Sequence, residues 1–271
     1  MKVLHTADWH IGTFKGPEKD GVNLRSLDTK KCLEAMVEKA REEKPELVLV
    51  SGDIFHLGRT WSDRCCKEVI LAMRIINELA TVTDHVIVMR GTPNHDGEGP
   101  FEVLSEHFAE KPNVYIVMEP MVIQTEQADI AVLPGFDVGV FRSKFPGMGK
   151  EEENEAISQE LGNIVMGMKS QCRPGKASIL MAHYTVPGCN TESGQSQILT
   201  QFEPIVPVES LEAADYDLVA LGHIHRPQKL QTVKNAFYSG SINANNFNDE
   251  GQERGFWIHE FKPDYVRRLL E

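Results

Sequence analysis

The sequence predicts an α/β fold, and three observations carry that prediction. Short β-rich apolar runs alternate with helix-period patterns through the first half of the chain. Those runs are apolar at nearly every residue, as strands covered on both faces of a parallel sheet are. A second set of closely spaced strand candidates fills the chain from residue 177 onward. With 271 residues, 41% apolar and 25% charged, the chain is expected to form one large domain over residues 1–271.

In order, KVLHT (2–6) reads as a strand, and Leu33, Met36, Val37 and Ala40 recur at helical spacing. ELVLVSGD (46–53) is a second strand, Val69, Ile70, Met73 and Ile76 mark a second helix, and HVIVMRG (85–91) is a third strand, completing a βαβαβ layout. NVYIV, MVIQT and DIAVLPGF follow as short strands separated by turn residues. Glu151 to Met168 is helical, with Ile157, Leu161, Ile164, Val165 and Met168 on its buried face. Its acidic EEENE start reads as a solvated cap, placed where the helix dipole favours it. ASILMAHY, DLVALGHIH, KLQTV, NAFYSG and GFWIHEF read as strands mostly too close together for intervening helices, so antiparallel pairing is expected there. The polar, Gly-containing segment from Thr185 to Gln201 reads as a loop covering a site.

Composition narrows the function classes. A net charge of −12 argues against a protein that coats nucleic acid, because phosphate binding normally rests on many Lys and Arg side chains. The charge is uneven: residues 151–220 hold three basic and eleven acidic side chains, whereas residues 1–60 hold ten of each. A polyanion would therefore avoid the middle third. No run approaches the ~18 apolar residues of a membrane span. The opening MKVLHTADWH reaches Asp8 too early to hold a signal-peptide apolar region. Cys32, Cys65, Cys66, Cys172 and Cys189 form an odd set without a CxxC pair, which argues against a disulfide framework or a thiolate zinc site and suits a reducing cytoplasm.

Candidate ligands stand where apolar strands end: Asp8 and His10 after KVLHT, Asp53 after LVLVSG, Asn94 and His95 after VIVMRG, His183 after SILMA, and His223 and His225 after LVALG. Ligand sites of α/β sheets gather at the carboxyl ends of strands. Each cluster alone has a plainer explanation. Asp8 and His10 read as a turn and a surface imidazole, Asp53 as a cap, Asn94-His95-Asp96 as a tight turn, and His183 as a satisfied core histidine. Gly222-His223-Ile224-His225, with two imidazoles one residue apart, is the most pointed by itself. Together they favour a metal site. Asp8, His10, Asp53, Asn94, His183, His223 and His225 suit two ions if one carboxylate bridges them. Imidazole and oxygen donors without thiolate point to manganese, iron or zinc ahead of magnesium alone, and such a pair serves hydrolysis at phosphorus. His95 is not needed by that ligand set. With Asp96 beside it as an orienting carboxylate, it is the candidate to protonate the leaving oxygen or to stabilise the pentavalent phosphorus, the plainer reading being a turn histidine. His5, His85, His107 and His259 read as structural or surface residues, and Trp9 and Phe55 as walls of the site.

The order DxH, GDxxH, a Gly-containing NHD turn, an isolated His after a strand, and GHxH resembles the calcineurin-like metallophosphoesterase superfamily. Within it, the chain is similar to the SbcD nuclease family, bacterial relatives of the meiotic-recombination double-strand-break nuclease. The opening KVLHTADWHIG, the GDIFH ending in His56, and YSGSINANNFNDEGQERGFWIHEF select that branch, over residues 1–261. The resemblance implies a four-layer αββα sandwich, with two central mixed sheets flanked by helices. It also implies one manganese held by Asp8, His10, Asp53 and His225 and a second by Asp53, Asn94, His183 and His223, with Asp53 as the bridge; iron, zinc or magnesium are the alternative metals. His95 would be the catalytic histidine and His56 would help position the substrate or the DNA end. The turn here reads Gly91-Thr92-Pro93-Asn94-His95-Asp96, two residues longer than the family's Gly-Asn-His-Asp, so the backbone entering the second metal position must differ.

The activity so implied is manganese-dependent hydrolysis of DNA phosphodiesters in repair or end processing, by exonuclease or endonuclease action. Lys15, Lys19, Arg25, Arg59 and Arg226 are candidates for backbone contacts. The rival among enzymes is a small-molecule or cyclic-nucleotide phosphodiesterase or a protein phosphatase with the same metals. The rival of another class is a non-catalytic scaffold for an ATPase partner. The family's capping and ATPase-binding segments are expected to be missing from residues 1–271, so an SbcC-type ATPase subunit would be a partner of a longer protein. Family likeness also implies a homodimer, and the sequence implies a cytoplasmic protein with no membrane association.

Overall fold

In the computed structural model the described residues are all but 58–64, 136–138, 140–142, 144–146, 192–202, 246–248, 250, 262–265 and 271; of 65, 66 and 266–270 the backbone alone is described. In chain order the elements are β1 (Lys2–Thr6), β2 (Glu18–Lys19), β3 (Val22–Asn23), α1 (Leu24–Glu43), β4 (Leu47–Ser51), α2 (Cys65–Leu79), β5 (His85–Met89), α3 (Glu98–Phe108), β6 (Val114–Val117), β7 (Met121–Gln124) and β8 (Ala128–Leu133). They continue with α4 (Lys150–Ser170), β9 (Ala177–His183), α5 (Val208–Ala214), β10 (Leu218–Gly222), β11 (Gln228–Lys229), β12 (Ala236–Tyr238), β13 (Phe256–Glu260) and β14 (Val266–Leu270).

Two six-stranded mixed sheets form the centre, in the orders β14-β13-β1-β4-β5-β6 and β11-β12-β10-β9-β8-β7. In the first, β1, β4, β5 and β6 are parallel, as the βαβαβ pattern requires, and β13 pairs antiparallel with β1. In the second, β8, β9, β10 and β12 are parallel, and β7 and β11 are antiparallel edges. The antiparallel pairing expected from residue 177 onward therefore fails for the strands that matter most. The reason is α5, a short helix that supplies the crossover between β9 and β10 and carries too few apolar residues to announce itself. Most of the KLQTV run is not strand either: only Gln228–Lys229 pairs, while Leu230 and Val233 are buried as core.

Apolar residues on every position of a strand make sense once both faces are covered. Leu47 and Leu49 of β4 face the layer between the sheets, with Ile179 and Met181 of β9 and Leu218 and Ala220 of β10 opposite. Val48 and Val50 turn the other way, onto Leu33, Met36 and Val37 of α1 and Ile75 and Ile76 of α2. Leu180 and Leu221 face outward against Ile157, Leu161 and Val165 of α4. Each such side chain contributes about 1.5–3 kcal/mol by leaving water. Helix, sheet, sheet, helix is thus the order of the layers.

Helix ends follow from local chemistry. The Asn23 side-chain oxygen accepts the Ser26 amide at 3.1 Å and caps α1, and Lys44 closes it in the left-handed conformation. At α4 the acidic start is only partly a solvated cap, because Glu153 is buried. Among the described residues no helix is long and apolar enough to cross a membrane.

Candidate metal centre

The carboxyl ends of β1, β4, β5, β9 and β10 lie at one edge of the sandwich, where the two sheets are tied together through Ser51. Its hydroxyl donates to the carbonyl of Ala220 at 3.1 Å, and its carbonyl accepts from Nδ1 of His183 at 2.6 Å. Two glycines permit the approach. A side chain on Gly52 (φ 89°) would strike the His183 ring, and one on Gly222 would strike the Ser51 carbonyl.

Four residues here hold backbone conformations that L-residues seldom adopt: φ is 51° at Asp8, 45° at His10, 52° at Asp53 and 89° at His223. Such outliers persist only where surrounding contacts enforce them. The Asp8 amide bonds the Gly52 carbonyl at 2.9 Å, the His10 amide the Asp53 carbonyl at 3.1 Å, and the His223 amide the Asp8 carboxylate at 3.1 Å. The strain aims the side chains inward.

Ligand atoms of Asp8, His10 and His225 lie within 4.8 Å of one another; so do those of Asp8, Asp53 and His183, and those of His10, His56 and His95. Nε2 of His10 meets Nε2 of His225 at 3.0 Å. Nε2 of His183 stands 3.2 Å from Asp53 Oδ1, buried and without a hydrogen bond. Because a carbonyl only accepts, Ser51 fixes the His183 proton on Nδ1 and turns the lone pair of Nε2 toward the carboxylates. His223 lies beside this group, its ring centroid 5.4 Å from that of His183.

Electrostatics point to a cation. Burial, reinforced by the charge of Asp53, pushes the Asp8 carboxyl up to about 8 and the Asp96 carboxyl up to about 7. Burial holds the His225 imidazole down to about 3, and burial together with neighbouring imidazoles holds His10 well below its ordinary value. These rings are neutral donors at pH 7, the form that binds metal. Burial opposes charge on His183 and Asp53 as well, yet their mutual attraction prevails, raising the imidazole and lowering the carboxyl. Without a metal the pair balances its charge with a proton that a cation would displace. A buried imidazole nitrogen aimed at a carboxylate, neutral rings and crowded carboxylates together fit a divalent-metal centre.

The remaining expected residues divide. Nδ1 of His95 donates to the His56 carbonyl at 2.7 Å, so its Nε2 faces the centre, 4.0 Å from Asp53 Oδ2. Asp96 does not orient that ring. Its buried carboxylate accepts the amides of Ile54 (3.2 Å), Phe55 (3.0 Å) and Gly91 (2.7 Å), which fixes the turn that carries His95 to the loop that carries Asp53. His56 packs on Phe14 with centroids 4.1 Å apart, and burial first, then His95 and Arg25, lowers it to about 4. Asn94 is exposed, and this turn reaches Asp53 through Thr92 instead. Trp9 and Phe55 belong to the core under α1 and α2 rather than to a site wall. Lys15 and Lys19 are exposed; Arg25 is engaged by the Phe14 ring and the carbonyls of Lys15 and Asn245; Arg226 is half-buried. Arg59 and residues 192–202, including most of the expected covering loop, lie outside the described residues.

Sequence reasoning missed four contributors. Ser51 joins the sheets, Thr92 binds Asp53, and Glu203 approaches Nε2 of His223 at 2.9 Å. Arg254 holds the His225 carbonyl while paired with Asp249 at 2.7 Å. Ser51 and Thr92 stand within the strand-end segments of Asp53 and His95 but are neither imidazole nor carboxylate, and Glu203 and Arg254 lie outside those segments.

A family model for the calcineurin-like phosphoesterases matches residues 1–227. The chain belongs to that family. This phosphoesterase chain is 27% identical over 268 residues to the SbcD component of the SbcCD nuclease of Staphylococcus epidermidis, covering 95% of the chain but 65% of that relative's length. Among solved structures, a dimetal phosphatase from Danio rerio shares the fold with a TM-score of 0.57 at 12% identity, over 99% of this chain and 95% of that one. The anchor protein GAP50 of the inner membrane complex of Plasmodium follows with a TM-score of 0.50 at 14% identity, over 96% and 80% of the two chains.

Proposed function

We propose that the chain is a manganese-dependent nuclease that hydrolyses DNA phosphodiesters with two metal ions held among Asp8, His10, Asp53, His183, His223 and His225, all within one domain spanning residues 1–271. The observation that carries this reading is the convergence of Asp8 and Asp53 with His10, His225 and His183 at one sheet edge. The likeness to a nuclease component over 95% of the chain supports the choice of DNA.

A bound pair of such ions lowers the pKa of water and neutralises charge growing on a phosphoryl oxygen. The protein's own part is to position and to move protons. Asp53, with one oxygen 3.2 Å from His183 Nε2 and the other 4.0 Å from His95 Nε2, reaches both a proposed metal ligand and the proton donor. Its Oδ1 is fixed by the amide and hydroxyl of Thr92 at 2.7 and 3.0 Å. His95, a third exposed and held by the His56 carbonyl, delivers a proton from Nε2 to the leaving oxygen. His56 is anchored on Phe14 and guides the approaching strand. Lys15, Lys19 and Arg226 add positive charge around a centre in an otherwise acidic chain.

The same reading makes the protein cytoplasmic, not associated with membrane, homodimeric, and served by an SbcC-type ATPase when further segments are present. An assay with Mn2+ comparing single- and double-stranded DNA, a cyclic nucleotide and a phosphoprotein tests the substrate. Cleavage of DNA is expected; brisk turnover of the others with DNA left intact would overturn the choice.

A further inference from the structure

We infer that Glu203 supplies the oxygen donor at the metal position of His183 and His223, in the place expected for Asn94. The inference rests on the two-metal reading and deepens it by naming a ligand.

The expected donor sits on an exposed turn. The His95 amide bonds the Thr92 carbonyl at 3.0 Å, closing a β-turn with Pro93 and Asn94 at its two central positions. Proline is favoured at the first of these, and the second is the outer corner. Asn94 is accordingly exposed, while Asp96, beyond the turn, is buried. With two residues between Gly91 and Asn94, it is Thr92 whose amide and hydroxyl bond Asp53.

Glu203 arrives on a different segment. Its Oε2 is 2.9 Å from Nε2 of His223. The chain just beyond it is anchored: the Ile205 amide bonds the Ser158 hydroxyl at 3.0 Å, the Val206 amide bonds the Thr185 carbonyl at 3.1 Å, and Thr185 and Ile205 form a parallel bridge. Thr185 lies two residues past His183, so one short stretch fixes both the imidazole and the carboxylate. His183 Nε2 is buried and lies 3.2 Å from Asp53 Oδ1, the carboxylate shared with the neighbouring metal position. Two imidazoles with a carboxylate are a donor set suited to manganese, iron or zinc, although among the described residues the donor atoms of Glu203, His223 and His183 are not gathered as closely as those of Asp8, Asp53 and His183.

Titration of the purified full chain with Mn2+, followed by calorimetry and by metal analysis after desalting, tests this. Wild type is expected to take up two ions. Glu203→Ala is expected to keep one and to weaken the other about tenfold or more, Glu203→Gln to fall between, and Asn94→Ala to match wild type. Circular dichroism checks that the variants fold, and Glu203→Gln carries the test should the alanine variant unfold. Two ions bound by Glu203→Ala with wild-type affinity, or loss of an ion in Asn94→Ala, would overturn the inference and leave the two-metal reading standing. A wild-type protein that binds no Mn2+ would overturn both.

Discussion

Replacing Asp96 separates two roles for the carboxylate beside His95. In the structure it is buried and accepts three backbone amides, from Ile54, Phe55 and Gly91. Asp96→Ala orphans all three at once. A buried donor without a partner costs about 1–3 kcal/mol. Water admitted to the vacated space recovers part of that loss, so the expected destabilisation is about 3–5 kcal/mol. Asp96→Asn keeps one acceptor oxygen but points an NH2 at an amide, and is expected to cost about 2 kcal/mol. Urea unfolding of metal-free protein reads this as a lower midpoint at unchanged slope. If Asp96→Ala stayed within about 1 kcal/mol of wild type, the anchoring role would be refuted. If Asp96→Asn were stable yet inactive, a direct pairing of Asp96 with His95 would be restored.

His95→Ala is expected to slow phosphodiester hydrolysis about 10²–10⁴-fold while bound metal stays constant by elemental analysis; loss of metal would make His95 a ligand instead. At the far edge of the second sheet, burial works to raise the Asp129 carboxyl, but hydrogen bonds from the Arg173 side chain and amide prevail and lower it. A carboxyl lowered on folding stabilises above its unfolded value of about 4 and loses that contribution as pH falls through its folded value. Arg173→Ala is therefore expected to lower the urea midpoint at pH 7 modestly, since the guanidinium is partly exposed, and the gap to wild type is expected to close below pH of about 4. A gap independent of pH in urea melts would contradict the pairing.

Much of the fold was legible because burial on both faces leaves a plain signal: LVLVS, HVIVM and LVALG are apolar at nearly every position, and each proved to be a covered parallel strand. Pairing direction beyond residue 177 was not legible, since α5 is seven residues long and leaves little periodicity to read. The histidine and aspartate clusters were visible because glycine and ligand residues repeat at strand ends. What sequence could not show was the path of the Gly91–Asp96 turn, where two additional residues bring Thr92 to Asp53 and leave Asn94 exposed. Glu203 was hidden for a different reason. It reaches the site only because its segment bridges to Thr185, a contact set by tertiary packing and by no local pattern.

The most direct test of the central claim is an anomalous difference map from crystals of the protein loaded with Mn2+. The account predicts two peaks about 4 Å apart, bounded by Asp8, His10, Asp53, His183, His223 and His225. A map with no peak among these side chains, or with manganese bound only elsewhere on the surface, would contradict it.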